Sequence, residues 1–325
     1  PPPPPRLNPR RPHVPANQGY GLSGGHRFLL GGRGLPLSLF GVLGHSTDFN
    51  YTTESLRDAG TNNLNISKDQ TGKKSEQRVR QFGMAGVTFS VPGRHKLAYN
   101  FLTVHDSRAS VGNYTGTNSK FGETEYEEEG GLYQRQQINE NLLLVNQLDY
   151  NWTPSLRHRL NAGAAYNMMR GDEPDRRDLY LGLDTDHNTL VPLVGEGYNN
   201  RSFTGLKEKD LNVRAGYTFR LGDDAGNPSN VRVGYKARLA KDNFHAADYG
   251  FYSSGRPQLD VDHPDLDGHI HSAGIRTFVN CIPSSYTVDK DIHTGYAEAT
   301  YRTPAGLTAD LGVRYDYASM AVDYD

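Results

Sequence analysis

The chain has 325 residues, sets 35 Lys and Arg against 37 Asp and Glu, and has a mean hydropathy of −0.69. A net charge of −2 without a basic stripe excludes a general nucleic-acid binder, and a single cysteine, Cys281, excludes an internal disulfide framework or a thiolate zinc cluster. No run approaches the roughly 18 apolar residues of a membrane helix, while 36 glycines and 20 tyrosines against one tryptophan favour strands.

The chain opens on Pro1 to Pro5, followed by Arg6, Arg10, Arg11 and Pro12. Residues 1–19 are expected to be a disordered Pro/Arg-rich segment. From Tyr20 onward, short turn signals recur at intervals of about 60 to 80 residues, at Gly31 to Gly34, Pro92 to Arg94, Thr153 to Ser155, Asp223 to Ser229 and Pro304 to Gly306. Each is flanked by strand-like text. The expected hairpins are Tyr20–Leu30 with Pro36–Asp48, Arg78–Val91 with His95–Asp106, Ile138–Trp152 with His158–Met169, Leu206–Leu221 with Val231–Phe244, and Asp291–Arg302 with Leu307–Tyr317.

The fourth hairpin shows the pattern most clearly. Leu211, Val213, Ala215, Tyr217 and Phe219 alternate with Asn212, Arg214, Gly216, Thr218 and Arg220. After the turn, Val231, Val233, Tyr235, Ala237 and Leu239 interleave with Arg232, Gly234, Lys236 and Arg238. Side chains alternate across a strand, so one face is apolar and the other charged. Strands of about 9 to 11 residues with an apolar outside and a polar inside are those of a membrane-spanning barrel. Its lumen and loops stay wet, so a low mean hydropathy does not exclude it.

Long polar stretches, Phe49–Gln77, Ser107–Gln137, Arg170–Gly205 and His245–Lys290, separate the hairpins and are expected to be loops. Short turns on one side and long loops on the other are the asymmetry of outer-membrane barrels. Phe89, Tyr150, Trp152 and Tyr301 lie close to the short turns, and Tyr166 and Tyr317 nearer the loops, as two aromatic girdles require. The pattern lapses where Phe82 and Met84 share a face with Arg78 and Arg80, and Leu143 and Val145 with Gln147 and Asp149. Such lapses arise from imperfect patterning or from contact with something inside the barrel.

The expected fold is therefore all-β: an antiparallel transmembrane β-barrel of meander hairpins. Residues 20–325 form a partial piece of it, about ten strands of a larger barrel. The chain starts without methionine and stops at Asp325 just past a strand, so it reads as part of a longer protein, with plug domain and closing strands absent.

The segment from Asp289 to Arg302, its short turn, and Leu307-Thr-Ala-Asp-Leu-Gly-Val-Arg-Tyr-Asp316 resembles a middle-barrel hairpin of TonB-dependent outer-membrane receptors. Gly171-Asp-Glu-Pro-Asp-Arg-Arg177, leaving a strand, resembles the same group. The resemblance implies a barrel of about 22 strands around a plug. It also implies residence in the bacterial outer membrane and energy-coupled import of a siderophore complex, a corrinoid or a glycan. The implied partners are outer-membrane lipid, the TonB complex reached through an N-terminal plug, the nutrient ligand and a surface lipoprotein; nucleic acid is not among them.

Arg214, Arg220, Arg232, Lys236, Arg238 and Arg314 are expected to face the lumen, where charges pair without lipid desolvation. Tyr180, His187, Tyr198, His245, Tyr249 and Tyr252 are expected in external loops, where substrate is met first. No catalytic residue, metal site or cofactor is expected: the run Asp260, Asp262, His263, Asp265, Asp267, His269 and His271 has metal-ligating chemistry but no metal-binding spacing. The acidic run Glu123 to Glu129 reads as a solvated surface. Two alternatives stay open at this point. One is an outer-membrane enzyme on a complete ten-strand barrel, with a His–Asp pair such as His245 and Asp248 at its rim. The other is a soluble β-rich glycan-binding protein, which would stack two sheets.

Overall fold

The structure, a computed structural model, describes residues 16–59, 66–118, 130–184, 189–193, 199–221, 229–252, 276–279, 284–303 and 305–324. The Pro/Arg-rich opening up to residue 15 lies outside them. Their backbone forms twelve strands: β1 (Gln18–Leu30), β2 (Leu35–Ala59), β3 (Ile66–Val91), β4 (His95–Asn118), β5 (Gly131–Trp152), β6 (His158–Asp184), β7 (Thr189–Pro192), β8 (Asn200–Arg220), β9 (Asn230–Tyr252), β10 (Arg276–Val279), β11 (Ser284–Arg302) and β12 (Thr308–Tyr324).

Ten of these form one antiparallel meander in the order β1-β2-β3-β4-β5-β6-β8-β9-β11-β12, while four-residue β7 pairs with β6 and four-residue β10 with β9. All five expected hairpins are present. The turn after β3 closes with Arg94 N–H donating to Val91 C=O at 3.0 Å, and Gly93 supplies the positive φ of 73° that it needs. The protein is all-β in a single open sheet. Among the described residues β1 and β12 each pair on one side only, and no second sheet stacks on the first. No helix among them is long and apolar enough to cross a membrane, which leaves strands unaddressed.

Register divides the side chains into two faces. On the apolar face, six strands carry a nine-residue stretch with an apolar or glycine residue at every outward position: Leu35–Leu43, Gly83–Val91, Leu160–Met168, Leu211–Phe219, Val231–Leu239 and Ala309–Tyr317. Nine residues span about 27 Å along a strand. The next residue on that face is His45, Gln81, Arg170, Lys209, Lys241 or Ser319, so each apolar stretch ends within one pleat of a polar group. Phe89, Tyr150, Trp152, Tyr301, Tyr166 and Tyr317 all stand on this face, at its two margins.

The expected long loops are largely strand. β2 runs eleven residues past Asp48 to Ala59, β6 continues to Asp184, β8 begins at Asn200 rather than Leu206, and β9 extends to Tyr252. The reason is physical. Beyond the apolar band both faces are polar, so no alternation marks the strand, and Thr, Ser, Asn and Lys read as loop. Cross-strand pairs replace it, among them Arg57–Asp69 at 3.0 Å and Arg78–Asp106 at 2.6 Å. Each contributes only about 0–1 kcal/mol, and the backbone ladder carries the rest.

Gly171 to Arg177 is not a loop entrance but a β-bulge. The register of β6 shifts between Glu173 and Arg176 on β8, and the inserted Pro174 has no N–H to give a ladder. One extra residue reverses which face the later residues of β6 occupy.

Gly116 tests the distal extension. It sits at φ +134°, and a Cβ there would lie 2.2 Å from the Asp69 carbonyl oxygen. Gly116→Ala should destabilise the distal ends of β3, β4 and β5 by about 1–3 kcal/mol. Hydrogen exchange should accelerate at amides near Gln70, Gly116 and Gly131 and stay unchanged within Gly83–Val91.

Candidate functional site

The polar face collects the charged residues. Register places Asp149, Gly163, Arg214, Lys236, Thr294 and Asp316 in one row across β5, β6, β8, β9, β11 and β12. Gly163 has no side chain to block the way, so Arg214 reaches across it to the Asp149 carboxylate. Neighbouring rows repeat the logic: Arg238 pairs with Asp210 at 2.5 Å and Glu208 at 3.1 Å, Arg232 with Glu298 at 3.3 Å, and Arg314 with Asp316 at 2.8 Å. Lys236 differs. It lies 5.5 Å over the Tyr296 ring, and among the described residues no carboxylate pairs with it. Hollows of about 350, 270 and 260 Å³ adjoin at this lysine. Arg220 stands on the same face at the short-turn end, opposite Asn230, so all six cations expected to face the lumen share one face.

The lapses in patterning meet in space. Val42, Met84, Leu102 and Val145 form one row of the polar face, and Phe82, Val104, Leu143 and Met169 form the next. Phe40 folds over Gly86, whose missing Cβ would lie 2.0 Å from the ring. The result is a contiguous apolar island on β2 to β6, beside the charged lattice of β5 to β12. Each strand alone shows a flaw; only the register shows that the flaws adjoin.

Distally, Tyr114, Tyr133 and Tyr180 stack with ring centroids 5.7 and 4.5 Å apart and pack on Leu193. They are the buried aromatic residues among those described, at 5 to 8% exposure. Tyr133 donates to Asp178 at 2.8 Å, Tyr114 donates to Glu54 at 2.8 Å, and Arg135 grips Asp178 at 2.6 and 3.1 Å. Burial first, and then the Glu54 carboxylate, pushes the Tyr114 phenol up to about 12. Burial and Asp178 raise Tyr133 well beyond that, and burial likewise raises Tyr180. Nearby, Asp175 in the bulge receives Arg201 at 2.8 Å and Arg177 at 3.0 Å. Burial acts to raise its carboxyl, but the two guanidinium hydrogen bonds prevail and hold it below the usual range.

Of the residues expected in external loops, the three whose side chains are described, Tyr180, His245 and Tyr249, do not converge. Tyr180 lies within β6, its ring inside the tyrosine stack, because the bulge turned it onto the polar face. His245 and Tyr249 lie within β9 on the opposite face, His245 standing over Gly205 beside Asp172 and Tyr249 edge-on to Phe203 at 5.8 Å. Strand period, not loop proximity, separates them. Tyr252 ends β9, with its side chain outside the described residues, as are His187, Tyr198 and the histidine-rich run 260–271. Tyr114 and Tyr133 were not singled out by sequence; a tyrosine at corresponding distal positions of successive strands is the signal that marks them.

No family model matches the chain, and no curated protein matches it. Among solved structures, the toluene transporter TodX of Pseudomonas putida is similar at 9% identity over 95% of this chain and 87% of that one, with a TM-score of 0.24. A superposition that loose carries no weight for fold or activity.

The tyrosine stack predicts a pH response at both ends. A phenol raised by folding contributes stability that is intact below about pH 10, the unfolded value, and lost as pH rises through the folded one. Asp175, depressed by folding, contributes stability present above about pH 4 and lost as pH falls through its folded value. Tyrosinate absorbance should therefore rise in two phases, the exposed phenols first. The later phase should coincide with fast hydrogen exchange near Tyr133, and a single phase near pH 10 for all tyrosines contradicts the assignment.

Proposed function

We propose that this chain forms wall strands of an outer-membrane β-barrel transporter, with its apolar face to lipid, its polar face to a lumen and its distal strands outside the cell. One observation carries the reading. The apolar band is equally tall on six of the ten meander strands and lies in the open, with Leu211 38%, Val233 43% and Leu311 79% exposed. A contiguous apolar surface of this extent is unstable in water, and its height suits the ~25 Å hydrocarbon-facing belt of a barrel.

The other face suits passage of a cargo. Many of its charges are paired side by side, Lys236 stands free of a carboxylate among the described residues, and an apolar island offers a second kind of contact. The Asp289–Asp316 hairpin, with its resemblance to TonB-dependent receptors, supports energised uptake of a bulky nutrient such as a siderophore complex, a corrinoid or a glycan. Partners in that reading are outer-membrane lipid, the TonB complex and a surface lipoprotein, and no enzymatic step is part of it.

Trp152, the sole tryptophan, stands at the short-turn margin of the apolar face and is 38% exposed. Brominated phospholipids test its depth. In reconstituted protein, bromines near the headgroup should quench Trp152 more than bromines at mid-chain. In a Trp152→Phe background, Val213→Trp should be quenched by mid-chain bromines and Arg214→Trp should not, because a one-residue slip would put arginines into hydrocarbon at ~2–4 kcal/mol each. Quenching at position 214 with none at 213 would reject the orientation.

A further inference from the structure

We propose that Arg170, Lys207, Lys209 and Lys241 form a binding site for the phosphate of an anionic lipid headgroup, on the apolar face at the distal margin of the band; the assignment rests on the membrane reading above. The register puts Arg170 directly opposite Lys207 and Lys209 directly opposite Lys241, and all four are exposed. Strands lie about 4.8 Å apart and alternate residues about 6.8 Å apart, so four cations crowd a patch one headgroup wide. Like charges facing each other across strands destabilise a sheet unless something neutralises them.

Two other opposed pairs are neutralised from within. Arg177 faces Arg201 and both hold Asp175; Arg78 faces Arg108, and they hold Asp106 and Glu76. At the distal margin the supply of acids falls short. Asp172 engages Arg170, and Asp289 lies 3.6 Å from Lys241. Glu140, opposite Asp172, has no ion pair with the four cations. Among the described residues neither Lys207 nor Lys209 has an acidic partner within ion-pair distance, and Glu140 and Asp291, the other acids of this margin, engage neither.

Position supplies the second half of the argument. Immediately on the membrane side of the four cations lie Tyr166, Leu211 and Leu239, adjacent in register and 45%, 38% and 40% exposed. An acyl chain lying on this row brings its headgroup phosphate to Lys207 and Lys209. The corresponding margin residues elsewhere, His45, Gln81, Glu140, Asp291 and Ser319, are not fixed cations, so the site is confined to β6, β8 and β9. Basic side chains beside an anionic leaflet attract it strongly enough to make a lipid resident rather than transient.

Native mass spectrometry of the full chain, released from non-ionic detergent, measures retained lipid. Phosphatidylglycerol should be retained in preference to phosphatidylcholine of the same chains, and Lys207→Gln with Lys209→Gln should weaken it about 25-fold, roughly fivefold per lysine. Lys73→Gln, an exposed lysine elsewhere on the same face, should leave retention unchanged. Equal retention of both lipids, or wild-type retention by the double variant, overturns the site while quenching at position 213 keeps the membrane reading. Displacement by equimolar inorganic phosphate would also overturn it, because a lipid anchored by its acyl chain should outlast a free ion. Loss of quenching at position 213 would remove both readings together.

Discussion

Everything in this molecule depends on the lateral locking of a two-residue period. Within one strand, alternation only says that two faces differ. Across ten strands, every hydrogen-bonded pair obliges its neighbour to put like residues on the same side, so the choice made at Arg214 propagates to Lys236, Thr294 and Asp316. Shifting one strand by a residue would transfer its whole charged set to the apolar face. The two surfaces, and the two environments they suit, follow from that constraint.

Glycine placement shapes the polar face. Where a long side chain must lie flat against the sheet, the residue across from it has none: Arg214 over Gly163, Phe40 over Gly86 and Tyr296 over Gly234. A side chain at any of these positions would stand between the partners and force the long residue upright. Arg214 would then lose Asp149, and Tyr296 would no longer carry Lys236. The hollows around Lys236 thus owe their floor to residues that contribute no chemistry themselves. The apolar island depends on the same device through Gly86, which links a packing choice to the surface a cargo would meet.

Beyond the apolar band the sheet is held differently. Its faces are both wet, and among the described residues the buried hydrophobic cluster there is the stack of Tyr114, Tyr133 and Tyr180 with Leu193, while Leu181 and Val288 are buried apart from it. Around that core, Asp178 binds Tyr133 and Arg135 and Asp175 joins two arginines, a network in which removing one carboxylate leaves several donors unsatisfied. Stability there is local and electrostatic, and responds to pH. In the band it comes from burial of the apolar face in whatever medium covers it.

The hairpins, their turns and the assignment of residues to faces were legible in the sequence because each rests on local physics: turn residues at fixed places and an apolar residue at every second position. The strand lengths were not legible, since a strand solvated on both sides leaves no alternation to read. Gly171 to Arg177 was recognised as distinctive, yet its meaning emerged only from pairing, which showed one extra residue against β5 and β8. That insertion sends Tyr180 to the polar face, away from His245 and Tyr249 on the other. The apolar island and the opposed lysines at the distal margin of the apolar band were equally hidden, because each joins residues from different strands. A single strand specifies which of its sides is dry; only the register of its neighbours decides which residues from distant parts of the chain meet there.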